Sequence, residues 1–203
     1  CLAKTLDIWL DAYKEVVKKR GIKLDISDLE IVEKSFGKWA DGLANLCIKD
    51  AKKAYQEALK IVARKIPHVQ LYDGVLDVLV NLFNKAKVCA LLTSSYRLTV
   101  LPAIHNLRID DFFKIIVTKE DVTKGKPDPE IIEIAIKELK GNKNEAIIMG
   151  DSYHDIQAGK NAGIKTVIFY PKENHKFYRK EDLEKEKPDY FIENFAELLK
   201  IVE

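Results

Sequence analysis

Ala146-Ile147-Ile148-Met149-Gly150-Asp151-Ser152-Tyr153-His154-Asp155 runs from four apolar residues into a glycine and then two carboxylates four positions apart. An apolar run of this length is a strand covered on both faces, as in a parallel sheet. The polar residues begin where such a strand ends, and in open α/β sheets ligands gather at the carboxyl ends of the strands.

Working outward from this stretch, the same grammar recurs. Lys87 to Leu92, Lys114 to Thr118, Thr166 to Tyr170 and Tyr190 to Ile192 are further short apolar runs, separated by helical patterns of ten or more residues. Strand and helix alternating in this way predict βαβ units and a doubly wound, parallel, Rossmann-like α/β sheet over residues 67–203. The helix boundaries agree: Asp73-Gly74 opens one, Pro129 occupies the first turn of another, and Ala162-Gly163 ends a third.

Residues 1–66 have a different rhythm. Leu6, Trp9, Leu10, Tyr13, Val16 and Val17 recur at helical spacing, with Gly21 placed to close that helix. Ser27-Asp28-Leu29-Glu30 fits a capping box that starts a second helix, and Trp39 to Cys47 and Lys49 to Arg64 read as further helices. This part is expected to form a small all-helical domain.

Composition narrows the function classes. The 203 residues are 47% hydrophobic, with 34 basic and 32 acidic residues and a formal charge of +2. Such a balance gives no basic stripe for nucleic acid and no polybasic membrane patch. No apolar run reaches the roughly 18 residues of a membrane span, and Cys1, Cys47 and Cys89 are odd in number and lack CxxC spacing. The expectation is a cytoplasmic enzyme with reduced thiols, Cys89 being buried in its apolar run. The charged stretch Lys172 to Lys187 reads as a solvated rim without a role in function.

Three strand ends carry chemistry-bearing residues. Leu92-Thr93-Ser94-Ser95 offers hydroxyls and successive amides at a strand-to-helix turn, suited to a phosphate oxygen. Lys124-Gly125-Lys126-Pro127-Asp128-Pro129 fixes Lys126 between constrained backbones, where an ammonium can stabilise charge developing on a phosphoryl group. Asp151 and Asp155 form a carboxylate pair suited to a hard cation such as Mg²⁺.

Taken in order, these segments resemble motifs II, III and IV of the haloacid dehalogenase superfamily, from about Val69 to Glu203, and the helical third resembles that superfamily's C1-type cap. The resemblance implies that Thr93, with Ser94, binds the transferring phosphoryl group, that Lys126 neutralises it, and that Asp151 and Asp155 hold Mg²⁺. It implies hydrolysis of a small phosphorylated metabolite through an aspartyl-phosphate intermediate, by a monomer or homodimer. Both aspartates of that reaction belong to a motif of the form DxDGT, which these 203 residues do not contain. Cys1-Leu2-Ala3-Lys4-Thr5 resembles the tail of that motif region, so the expectation is a core strand preceding Cys1, with the nucleophile four residues before it.

Within the superfamily, phosphomutases share the metal site, and a 2-haloacid dehalogenase would need no cation. A catalytically silent phosphate-binding protein is the reading from a different class. In the helical domain, the turn Phe36-Gly37-Lys38-Trp39 is the candidate for substrate choice, with Lys38 meeting a second anionic group and Trp39 covering a ring.

Overall fold

The computed structural model describes residues 1–36 and 38–202, with the backbone alone for Trp39. Gly37 and the Trp39 side chain, both part of the candidate specificity turn, lie outside the described residues.

Four helices form the first part: α1 (Thr5–Lys18), α2 (Asp28–Ser35), α3 (Trp39–Ala44) and α4 (Ala51–Lys65). α1 and α4 pack through Leu10, Tyr13, Val16 and Val17 against Ala54, Tyr55, Ala58 and Val62. Ala12, Ala54 and Ala58 are fully buried, which lets the helices approach closely. The expected capping box is present: Ser27 Oγ accepts from the Glu30 amide, and the Glu30 carboxylate accepts from the Ser27 amide at 2.9 Å.

The second part alternates α5 (Val75–Asn84), β1 (Cys89–Leu92), α6 (Arg97–Asn106), β2 (Phe113–Val117), α7 (Glu130–Glu138), β3 (Ile147–Gly150), α8 (Tyr153–Ala162), β4 (Lys165–Phe169), α9 (Lys180–Lys185), β5 (Tyr190–Ile192) and α10 (Leu198–Ile201). All strand pairs are parallel. Successive strand residues point to opposite faces: Leu91, Met149 and Val167 pack with α5, α6 and α10, whereas Ala90, Leu92 and Ile148 pack with α7 and α8. Helices therefore cover both faces, as in a doubly wound fold. Gly159 sits where α8 presses on the sheet. A Cβ there would lie 2.4 Å from Thr166 Cγ2 and 2.6 Å from Ile148 Cγ2.

The sheet is in two pieces. β2 pairs with β1, and β3 pairs with β4 and β4 with β5, but β1 and β3 are not paired with each other. Between them lies a slot of about 700 Å³, lined by Cys89 to Leu92, by Ile147 to Met149, and by Cys1 and Leu2. β4, flanked on both sides, is buried from Thr166 onward, while all four residues of β1 stay half-exposed. Cys89 is accordingly half-exposed rather than buried, β1 being paired with β2 alone among the described strands.

Lys172 to Lys187 also departs from expectation. Phe177 and Leu183 are 1% exposed, and Phe177 packs into the apolar cluster of the helical part. The charges on this segment pair across to that part: Arg179 with Glu33, Lys176 with Asp7, and Glu173 with Lys4. It is a strap joining the two parts rather than a solvated rim.

Candidate active site

The carboxyl ends of β1 and β3 open into a cavity of about 560 Å³ that lies between the sheet and the helical part. Thr93, Ser94, Lys126, Asp151 and Asp155 all line it, so three segments separated by tens of residues meet at one place. Thr93 continues β1 by one ladder bond, its amide donating to the Val117 carbonyl at 3.0 Å. The Thr93 hydroxyl accepts from the Ser95 amide at 3.1 Å. The turn is held from behind, with the Ser95 carbonyl accepting from the Lys119 amide and the Glu120 carboxylate accepting from the Arg97 amide at 3.0 Å.

Lys126 reaches the cavity from a loop braced by Glu130, whose carboxylate accepts from the amides of Thr123 and Lys124 at 3.0 and 2.7 Å. Its ammonium donates to Asp155 Oδ1 at 2.6 Å, and the two side chains are 12% and 8% exposed. Lys124 is 76% exposed, as a solvated lysine should be.

Asp155 is fully committed within the protein. Its Oδ2 accepts from the Ser152 amide and hydroxyl at 3.1 and 2.7 Å, completing a capping box at the start of α8. Burial pushes its carboxyl up, but the adjacent Lys126 ammonium and the Ser152 hydroxyl outweigh that and hold it down at about 2. Asp151 is different. Its Oδ2 lies 3.3 Å from the Cys1 backbone nitrogen, and the side chain is 17% exposed. Gly150 makes this packing possible, since a Cβ there would fall 2.2 Å from the Cβ and Cγ of Asp155.

For a hard cation, Asp151 supplies a cavity-lining carboxylate oxygen, the donor type that such an ion takes. Asp155, with both oxygens engaged by Lys126 and Ser152, stands behind it. Among the described residues no cluster of three or more His, Cys, Asp or Glu side chains could hold a metal alone. His154 lines the same cavity, its ring 3.9 Å from that of Tyr153, and burial lowers its pKa. Lys38 is exposed, donates to the Glu33 carbonyl at 2.8 Å, and is not part of the cavity wall.

Of the wall facing the strand ends, Phe36 alone belongs to the turn that the sequence marks for substrate choice. Trp9, Tyr13, Phe36 and Tyr55 of the helical part and Tyr178 and Arg179 of the strap form this wall. Trp9, Tyr13 and Tyr55 satisfy the helical periodicity and so read as core. Phe177-Tyr178, two aromatic residues inside a charge run, was the available signal for the strap.

Residues 1–169 match the family of haloacid dehalogenase-like hydrolases. The chain belongs to that family. Among its relatives are the pyrophosphatase PpaX of Halalkalibacterium halodurans, 36% identical over 135 residues, and that of Listeria monocytogenes, 34% identical over 136 residues. These alignments take in 66% and 64% of the chain, and the chain spans 60% and 58% of those relatives' lengths. A haloacid dehalogenase-like family hydrolase from Streptococcus pneumoniae superposes with a TM-score of 0.83 at 20% identity, covering 100% of this chain and 93% of that one. CbbY from Rhodobacter sphaeroides, solved in complex with phosphate, gives 0.78 at 18% identity, with 98% and 92% covered. At such identities the likeness is one of fold: an α/β Rossmann-like core of the haloacid dehalogenase-like kind with a helical cap. Among the described residues no helix is long and apolar enough to cross a membrane.

Proposed function

We propose that the protein hydrolyses a small phosphate monoester with Mg²⁺, through an aspartyl-phosphate whose carboxylate is supplied by a strand seated in the slot between β1 and β3. The observation that carries this reading is the convergence of Thr93, Lys126 and Asp151 at the carboxyl ends of the two strands that flank the slot. A parallel strand there would pair both open edges and end among these three groups. The relatives' description as pyrophosphatases supports cleavage of a phosphoryl bond.

In this reading the Thr93 hydroxyl and the amides around Ser94 bind phosphoryl oxygens, and the Lys126 ammonium, held in place by Asp155, stabilises the charge that builds on them. Asp151 would hold the cation, with Asp155 behind it, and the ion would offset phosphoryl charge when bound. The slot carboxylate displaces the leaving group, and water then releases phosphate, dividing one displacement into two.

The test is hydrolysis of p-nitrophenyl phosphate by the protein purified from its source. Expected are turnover with Mg²⁺, loss in EDTA, and at least about a hundredfold loss in Asp151→Asn. No turnover under any divalent cation would favour the silent phosphate-binding protein. Turnover by a protein whose intact mass is 23.2 kDa would overturn the slot strand, since these 203 residues account for that mass.

A further inference from the structure

The cavity has two chemically distinct ends, and the cap end is built from rings. Trp9 of α1 and Tyr55 of α4 stack at 6.3 Å between centroids and 15° between planes. Tyr13 meets Trp9 edge-on at 5.9 Å and Phe36 edge-on at 5.7 Å. All four line the cavity. Tyr13 and Tyr55 are 4% and 8% exposed, yet neither hydroxyl has a hydrogen-bond partner among the described residues. Burial raises both phenols, so they stay protonated donors.

Charge at this end is the wrong sign for a second phosphate. Among the described residues, the one charged side chain that the helical part contributes to the lining is Glu33, which pairs with Arg179 at 3.2 Å. Lys185 in the rim is taken up by Asp182 at 2.7 Å, and Glu186 adds another carboxylate. Lys38, the cation expected to receive a second anion, is outside the wall. A cavity of about 560 Å³ leaves space for much more than a phosphate group.

From these observations we propose that the leaving group is uncharged and carries a planar ring, which packs against Trp9 and Tyr55 within hydrogen-bonding reach of the free tyrosine hydroxyls, and that a second anion is disfavoured. This rests on the phosphate-ester reading above and narrows its substrate class. It also separates the chain from a specificity for pyrophosphate.

Binding of phosphonates to the full chain with Mg²⁺, followed by calorimetry, tests it without requiring turnover. Benzylphosphonate is expected to bind about tenfold more tightly than methylphosphonate. 2-Carboxyethylphosphonate is expected to bind no better than methylphosphonate. Trp9→Ala should bring the benzyl-to-methyl ratio to about one, and Tyr55→Leu, which keeps an apolar side chain there, should lower it. Leu98→Ser, on a residue 79% exposed and outside the lining, should retain it. In a Trp39→Phe background Trp9 is the sole tryptophan of these 203 residues, and 4-nitrobenzylphosphonate should quench its fluorescence. Equal affinity for benzyl- and methylphosphonate, or tightest binding of the carboxyethyl compound, overturns the ring subsite and leaves the phosphate site standing. Failure of inorganic phosphate and of every phosphonate to bind overturns the phosphate site, and the ring subsite with it.

Discussion

The strand-end half of the cavity and the cap half are assembled by different physics. At the strand ends, each polar group is fixed by bonds to its own neighbourhood: Thr93 by Ser95, Asp155 by Ser152, the Lys126 loop by Glu130. At the cap, the wall exists only because α1, α4 and the strap pack together over more than a hundred residues of sequence separation. Short-range chemistry therefore holds the strand-end groups, and long-range packing holds the rings. The two halves should fail separately when each is attacked at its own weak point.

The strand-end half has its weakest point in the Lys126–Asp155 pair, because both side chains are mostly buried. Removing one partner of a buried pair strands the other, so Asp155→Ala is expected to cost about 3–5 kcal/mol in urea unfolding at neutral pH. Adding Lys126→Met should recover most of that. A cost under about 1 kcal/mol for Asp155→Ala would mean that the lysine finds solvent and is not positioned by the aspartate.

Phe177 plays the corresponding part for the cap half. It is 1% exposed and stacks on Phe36 at 6.4 Å and 21°. Phe177→Ala should cost about 3 kcal/mol through the cavity it leaves. It should also shift tryptophan emission from Trp9 while sparing the phosphate binding proposed for Thr93 and Lys126. The ion pair beside it, Arg179–Glu33, is about half-exposed on both sides and should contribute well under 1 kcal/mol to stability. Equal losses from Phe177→Ala and Arg179→Ala would show that charge rather than packing fastens the strap.

This division also explains what was legible in the sequence. Gly150-Asp151-Ser152 through Asp155 and the loop around Lys126 are local patterns, and the contacts that position them lie mostly within a few residues. The strands and the capping box at Ser27 could be read for the same reason. Trp9, Tyr13 and Tyr55 satisfy helical periodicity whether they face a core or a cavity, so periodicity cannot separate the two. Phe177 sits in a run of charges that hydropathy assigns to solvent, and its burial depends on α1 and α2, far away in sequence. Cys89 failed as a buried residue because a strand's burial depends on its neighbours in the sheet, not on its own apolar run.

Acid should also separate the halves. The Asp155 carboxyl, though raised by burial, is held at about 2 chiefly by Lys126. Asp121 is lowered by the Thr118 hydroxyl and amide, and Asp189 by the Thr166 amide, so the carboxylates bracing the strand-end half ionise more readily folded than unfolded. An unfolded aspartate titrates near about 3.9. Folding stability from these groups is thus complete above that value and is lost as pH falls through the folded one. For Asp155 alone the loss between about pH 5 and 2 approaches 2 kcal/mol, reduced by whatever Lys126 retains in other contacts. The Asp155→Ala/Lys126→Met double variant should therefore show a shallower fall in stability across that window, by up to about one proton in the slope. Phe177→Ala should shift the whole curve down and leave its slope unchanged, since it removes packing and no titrating group. Parallel curves for the double variant and the parent would place the acid sensitivity at Asp121 and Asp189 instead, and with it the anchoring of the strand-end half in the turns behind Thr93 and beside β4.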